Sequence, residues 1–271
     1  MSKILLNDIL KIDDLTNVRI RFVLQVGGNW KPIEEFKNGK TSDLLEGQYW
    51  NYHKKKSFRL HQQTLGFIPL DRDENTWLLF HAGKVTKDLN IHDGVGYEYE
   101  NIKSLSKYCG RLIIRFKNTV QTLIRNAESV INDCEVVKIL PDIFDDDIFP
   151  GYENVNISWE ELSRIINKES WKTALQNQKG VYLITDTNTG KMYVGSAYGE
   201  NMILGRWKNY VDNCHGGNIE LKKINTNHIK KYFRYSILDI FKSTIADEVI
   251  INRESWWKKV LLTREFGYND N

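Results

Sequence analysis

GVYLITDTNTGKMYVG, from Gly180 to Gly195, is the stretch whose reading decides the fold. Leu183 and Ile184 continue an extended apolar run, and Asp186 to Gly190 carry turn chemistry before a second strand begins. The stretch therefore predicts a β-hairpin. Tyr182 and Tyr193 fall at corresponding ends of the paired strands, where both can face one pocket. Taken alone the spacing is ordinary, because Gly-x-Tyr is common in sheets. Its flanks decide whether it is more.

Downstream, Ile203, Trp207 and Val211 recur at helical spacing and give a core face. Arg206 and Tyr210 are four residues apart and share one face of that helix. An ion pair of Arg206 with Glu200 or Asp212 is the competing explanation for its position. HGGN at 215–218 is a turn whose exposed amides suit a phosphate. Residues 232–241 alternate as a third strand. The closing helix carries Val249, Ile250, Trp257, Val260 and Leu261 as its predicted buried face, with Glu254 among them. A carboxylate beside Trp256 and Trp257 is costly without a metal or an arginine as partner. Upstream, Ser158 and Glu161 form a predicted capping box opening a helix over 159–167.

In these positions the segment 180–271, roughly a third of the chain, resembles a GIY-YIG nuclease domain. The two hallmark tripeptides stand as GVY and YVG, each with Val for Ile. The family's helical arginine matches Arg206, and the residue one turn on, His or Tyr in the family, matches Tyr210. The metal-binding glutamate matches Glu254 in RESWW, and the late asparagine matches Asn269 in GYN. The gap from YVG to the arginine is longer than in compact members, with SAYGEN as the excess loop. The resemblance implies a small mixed sheet flanked by helices and hydrolysis of phosphodiester bonds. It implies one divalent cation at Glu254, Mg²⁺ or Mn²⁺ with retained waters, since a single acidic residue is matched. Arg206 would pair with a non-bridging phosphate oxygen. Tyr182 is the chosen proton acceptor, which requires positive charge nearby to lower its pKa. Tyr193 and Tyr210 would orient water and phosphate, Lys191 and His215 are further candidates, and Asn269 would tether the carboxy-terminus near the site.

The 271 residues allow one large domain or two ordinary ones, and 41% apolar content supplies a core. The net charge of +3 is unevenly placed, with 21 Lys and Arg against 21 Asp and Glu in residues 1–150 and 17 against 14 in 151–271. The excess thus lies with the tyrosine pair and permits a polyanionic partner. Cys109, Cys134 and Cys214 are odd in number and unpaired in spacing, against a disulfide framework or zinc knuckle. The amino-terminus is broken by charges too early for a signal peptide, and no run of about 18 apolar residues exists. A cytoplasmic setting, with no membrane partner, is the expectation.

Pro150 and Gly151 mark the expected boundary between residues 1–150 and the nuclease domain 151–271, with its core over 179–271. Asp145, Asp146 and Asp147 just before it read as a solvated acidic linker, since consecutive carboxylates point in different directions. The first part begins with a helix over 1–15 and a strand from Val18 to Val26 that ends at Gly27, Gly28 and Asn29. Strands follow at 66–70, 77–80, 96–99, 111–116 and 136–140, with a helix over 118–131. Such spacing predicts a β-rich, barrel-like domain, and the chain as a whole is α+β. The segment YWNYHKKKSFRLHQQ, residues 49–63, interleaves Trp50, Tyr52 and Phe58 with Lys54, Lys55, Lys56 and Arg59. Rings that stack on bases beside cations that meet phosphates suit nucleic acid; a basic loop with core aromatics is the alternative. By family analogy this part is a reader of the PUA or SRA kind, with Trp30, Trp50, Tyr52, Trp77 and Tyr97 as candidate stacking walls around a modified base. The expected whole is a DNA endonuclease of restriction or phage-defence type that senses a substituted cytosine in double-stranded DNA, with possible homodimers on the duplex. The alternatives are an enzyme reading an unmodified site, a structure-selective repair nuclease and a non-catalytic DNA-binding protein.

Overall fold

The structure, a computed structural model, describes residues 3–23, 30–53, 55–120, 122–199 and 202–270. Two compact units divide between Asp145 and Asp146, ahead of Pro150 and Gly151. The shift has a local cause. Asp147 is no solvated linker residue: its side chain is 7% exposed, with Oδ2 2.7 Å from Arg164 Nε and 3.0 Å from Lys168 Nζ. Its carbonyl also accepts from Trp171 Nε1, so this part of the acidic run is tied to the second unit.

The first unit is built on a seven-stranded sheet. Its strands are β1 (Val18–Phe22), β2 (Gln63–Asp71), β3 (Thr76–Asp88), β4 (Tyr97–Asn101), β5 (Leu112–Arg115), β6 (Ile124–Asn126) and β7 (Glu135–Ile139). The order is β6-β1-β2-β3-β5-β7, with β4 also on β3; β1 and β2 run parallel and the other pairs antiparallel. The strands expected at 66–70, 77–80, 96–99, 111–116 and 136–140 fall on β2, β3, β4, β5 and β7. The barrel does not form. Among the described residues the end strands β6 and β7 are not paired with each other, and β3 serves two neighbours in succession, β5 over Thr76–Leu78 and β4 over Gly83–Asp88. The sheet forks where a barrel would close.

Residues 118–131 are not one helix either. Ile124–Asn126 pairs with β1, and among the described residues the chain turns helically just from Ala127, through Val130 and a 3-10 turn over Ile131–Asp133. Pairing the open edge of β1 outweighs local helix propensity there. The leading helix is short, α1 (Leu6–Leu10), and the sequence reading missed α2 (Pro32–Lys37) and α3 (Thr41–Gln48). The expected end of the first strand at Gly27–Asn29 lies outside the described residues. Phe22 organises the core, stacked on Phe67 and Phe116 and edge-on to Trp77. The alternation in β1 does not put its basic residues in water. Arg21 is 2% exposed, and its Nη1 donates to the carbonyls of Gln48 and Trp50.

The second unit holds a four-stranded sheet of β8 (Asn156–Ser158), β9 (Gln178–Asp186), β10 (Met192–Ala197) and β11 (Phe233–Lys242), in the order β8-β11-β9-β10. Every described pairing is antiparallel, so the expected mixed sheet is not found. The hairpin joins β9 to β10 and the returning β11 lies antiparallel on the other side of β9. Helices α4 (Trp159–Ile165), α5 (Glu169–Leu175), α6 (Met202–Asn213) and α7 (Thr226–Tyr232) share one core with Tyr182, Ile184, Tyr193 and Tyr235. Helix α8 (Asp247–Val260) packs against the alternate residues Val181, Leu183 and Val194 through Ile250 and Trp257. Val249 and Val260, expected on that face, are 47% and 49% exposed, because α8 meets the sheet along a narrower stripe. At the start of α4 the capping box forms: Ser158 Oγ accepts from Glu161 N and Glu161 Oε2 accepts from Ser158 N, worth about 1 kcal/mol.

Among the described residues no helix is long and apolar enough to cross a membrane, and the three cysteines are free.

Candidate functional site

The hairpin register sets the site. Tyr182 lies opposite Gly195 and Tyr193 opposite Ile184, which puts both tyrosines on the same face, their ring centroids 6.5 Å apart. The two motif glycines make room for this. A Cβ on Gly195 would collide with the Tyr182 ring, and one on Gly180 would lie 2.6 Å from the carbonyl oxygen of Asp239. The second contact falls where the β9–β11 register shifts, between Val181 and Tyr182.

Helix α6 brings Arg206 and Tyr210 to that face. Arg206 Nε donates to Tyr182 Oη at 2.9 Å, and the Tyr182 and Tyr210 hydroxyls are 2.9 Å apart. Both tyrosines are fully buried, with Trp207 edge-on to Tyr182. Burial pushes both hydroxyls well above the ordinary tyrosine value; for Tyr182 the pull of Arg206 only partly offsets it. The lowered pKa that a proton-accepting Tyr182 needs is not found, since burial outweighs the nearby arginine. The Tyr182 hydroxyl positions Arg206. Tyr210, expected to orient water and phosphate, instead turns its hydroxyl to Tyr182.

Tyr193, Ser196, Arg206, Asn209, Glu254 and Lys258 line an open cavity of about 890 Å³. Strand β10 is the edge of the sheet, so α6 on one face and α8 on the other can both reach around it. Arg206 has no carboxylate partner among the described residues; Asp212 does not pair with it, and Glu200 lies outside them. Glu254 is not held against the tryptophans. Its Oε2 accepts from Ser196 Oγ at 2.5 Å, and its Oε1 is 3.1 Å from Lys258 Nζ, one helical turn on. Among the described residues no cluster of three or more His, Cys, Asp or Glu could cage a metal. A single carboxylate at the wall of an open cavity fits a hard divalent ion that keeps most of its waters, with the Ser196 hydroxyl and the Lys258 ammonium beside it.

Asn269 lies at the edge strand, outside the cavity. Its Oδ1 accepts from Val194 N and its Nδ2 donates to Val194 O, both at 2.9 Å, so the amide takes the place of a neighbouring strand. Next to it, Tyr268 Oη donates to Asp186, which also accepts from Thr189 Oγ1. Lys191 sits over the Tyr268 ring, and His215 Nδ1 accepts from Gly217 N; neither is brought to the cavity. The sequence reading missed Ser196, Asn209 and Lys258. Only Lys258 carried a signal, its place four residues after Glu254.

In the first unit the segment 49–63 divides. Tyr49 and Phe58 are core, whereas Tyr52 is 44% exposed with Lys55, Lys56 and Arg59 also exposed; Lys54 lies outside the described residues. Of the candidate stacking walls, Trp77 and Tyr97 are core residues whose polar atoms are satisfied internally, by the Phe116 carbonyl and the Phe58 backbone. Trp30 and Trp50 are half-buried. Tyr52 keeps an exposed ring, with the Arg21 guanidinium 5.5 Å from its centroid.

No protein-family model matches the chain, and no curated protein matches it. Two solved structures are similar to it. Both are of the catalytic domain of the intron homing endonuclease I-TevI, one of them a point mutant. They are 32% and 34% identical over 35% and 34% of this chain, covering 94% and 96% of their own length, each with a TM-score of 0.28.

Proposed function

We propose that the second unit is a divalent-metal-dependent endonuclease of the GIY-YIG kind, hydrolysing phosphodiester bonds in DNA. One observation carries the reading: Tyr193, Arg206 and Glu254, drawn from three elements, line one open cavity. In-line hydrolysis needs charge neutralisation on the phosphate, an oriented water and a stabilised leaving oxygen. Arg206, held by Tyr182 and free of a carboxylate partner among the described residues, supplies a permanent positive charge to a non-bridging oxygen. Tyr193 lines the cavity, where its hydroxyl would orient water. Glu254 would hold a divalent cation such as Mg²⁺, which when bound would supply Lewis acidity for the displacement. Ser196 fixes the carboxylate from the sheet edge.

The proposal assigns target choice to the first unit, in an enzyme of restriction or phage-defence type that senses a substituted cytosine in duplex DNA. The exposed Tyr52 ring in the same segment as Lys55, Lys56 and Arg59 supports a nucleic-acid contact there. Digestion of plain, methylated and hydroxymethylated plasmid with Mg²⁺, followed by sequencing of the ends, tests both levels. Cutting confined to modified DNA is the expected result. Equal cutting of all three removes the modification dependence, and no cutting of any removes the nuclease.

A further inference from the structure

A second cavity, of about 340 Å³, lies in the first unit and is lined by Arg19 of β1 together with Lys56, Phe58, Arg59 and Asp88. Its charges are unequally matched. Lys56 Nζ lies 2.5 Å from Asp88 Oδ2, which accounts for the one carboxylate in the lining. Arg19 Nε is buried with no hydrogen-bond partner, and neither Arg19 nor Arg59 is ion-paired among the described residues. Burial draws the Arg19 pKa down, and the positive charge of Arg59 lowers it further. A buried, unsatisfied donor is costly, and like charges sharing a cavity add to that cost. An oxyanion held by the two guanidinium groups would turn repulsion into attraction. Phosphate suits guanidinium forks especially well, because its oxygens accept several N–H groups at once.

We propose that the Arg19–Arg59 cavity seats a backbone phosphate of duplex DNA, so that the first unit holds the substrate through a contact that carries no sequence information. The choice of polymer rests on the nuclease reading of the second unit. The phosphate chemistry rests on the arginine pair alone. A contact of this kind fixes register on the duplex and leaves selection to other groups, such as Tyr52.

The test is fluorescence anisotropy of a labelled duplex with the full chain, carrying Glu254→Ala throughout and held in chelator so that nothing is cut. Arg19→Gln, Arg59→Gln and the double variant are compared with Arg72→Gln, a charge-matched change in the turn after β2, outside the cavity. Each cavity variant is expected to weaken binding roughly tenfold and to lower the salt slope by about one. The double variant should lose less than the product, because both arginines serve one phosphate. Without DNA, Arg59→Gln should raise the melting temperature as repulsion is relieved, which also shows that the variant folds. Unchanged affinity and slope, or an equal loss with Arg72→Gln, overturns the proposal. Stabilisation by inorganic phosphate with duplex affinity unaffected by the variants assigns the seat to a free anion and overturns the DNA contact. Cleavage by the same arginine variants with Glu254 restored is scored separately. Duplex binding through the pair without any cutting leaves the phosphate seat standing and removes the nuclease reading.

Discussion

Tyr182 lies directly opposite Gly195 across the β9–β10 ladder, its ring covering the space that a side chain at Gly195 would fill. The first tyrosine tripeptide thus explains the glycine of the second. Gly195 clears the ring, the ring presents its hydroxyl to Arg206 Nε, and Arg206 is held at the cavity wall.

Gly195→Ala should therefore act at a distance. The added methyl must push Tyr182 off Arg206, costing roughly 1–3 kcal/mol of stability as overpacking does in other cores. Thermal melting checks the cost. Cleavage should fall by more than the unfolded fraction accounts for, because Arg206 loses its hydrogen bond.

Tyr182→Phe and Arg206→Ala should differ in kind. Removing the arginine takes a charge from the phosphate and should cost about 10²–10³-fold in single-turnover rate. Removing the Tyr182 hydroxyl only loosens that charge, and a loss nearer tenfold is expected, in line with one hydrogen bond to a charged group. Since burial raises the Tyr182 pKa, the hydroxyl stays protonated through neutral pH. The pH–rate profile of Tyr182→Phe should keep the shape of the parent's. A lost ionisation limb would return the proton-acceptor role to Tyr182.

Lys258 bears on metal binding. Its ammonium is 3.1 Å from Glu254 Oε1 and competes with a divalent ion for the same carboxylate. Lys258→Met should tighten Mn²⁺ binding several-fold by calorimetry, and Glu254→Gln should abolish it. Weaker binding in Lys258→Met would mean that the lysine orients the carboxylate for the ion.

His81 makes the first unit acid-sensitive. Its Nε2 is hydrogen-bonded to Tyr49 Oη at 2.8 Å, and burial pushes its pKa down from 6.5 to about 4. Between those values the unfolded chain binds the proton and the folded one does not. Stability from the neutral His81 is thus complete above pH 6.5 and is lost as pH falls toward 4. Chemical denaturation at pH 7 and about pH 5 should show the loss, and His81→Gln should reduce it.

The second unit was the more legible in sequence, for a physical reason. The hairpin and the capping box at Ser158 depend on short-range patterns, which local residues specify, whereas Tyr193, Arg206 and Glu254 are singled out by resemblance to a motif spread over three elements. What stayed hidden depended on burial and on the third dimension. That the Tyr182 hydroxyl is buried under α6 could not be read from the sequence, and Ser196 gains meaning only when α8 brings Glu254 to the sheet edge. In the first unit, strand positions could be read from apolar runs, but the forked pairing of β3 could not. Nothing local distinguishes a long strand with two successive neighbours from one in a barrel. Trp77 and Tyr97 show the same limit, since an aromatic ring in a strand reads alike whether it stacks on a ligand or fills the core.

The most direct measurement is cleavage of supercoiled plasmid with Mg²⁺ by the parent chain, Arg206→Ala and Glu254→Ala, with duplex binding and melting recorded for each. The account predicts that the parent cuts, and that both variants fold and bind DNA but leave the plasmid intact. Cutting by either variant at the parent rate would contradict it.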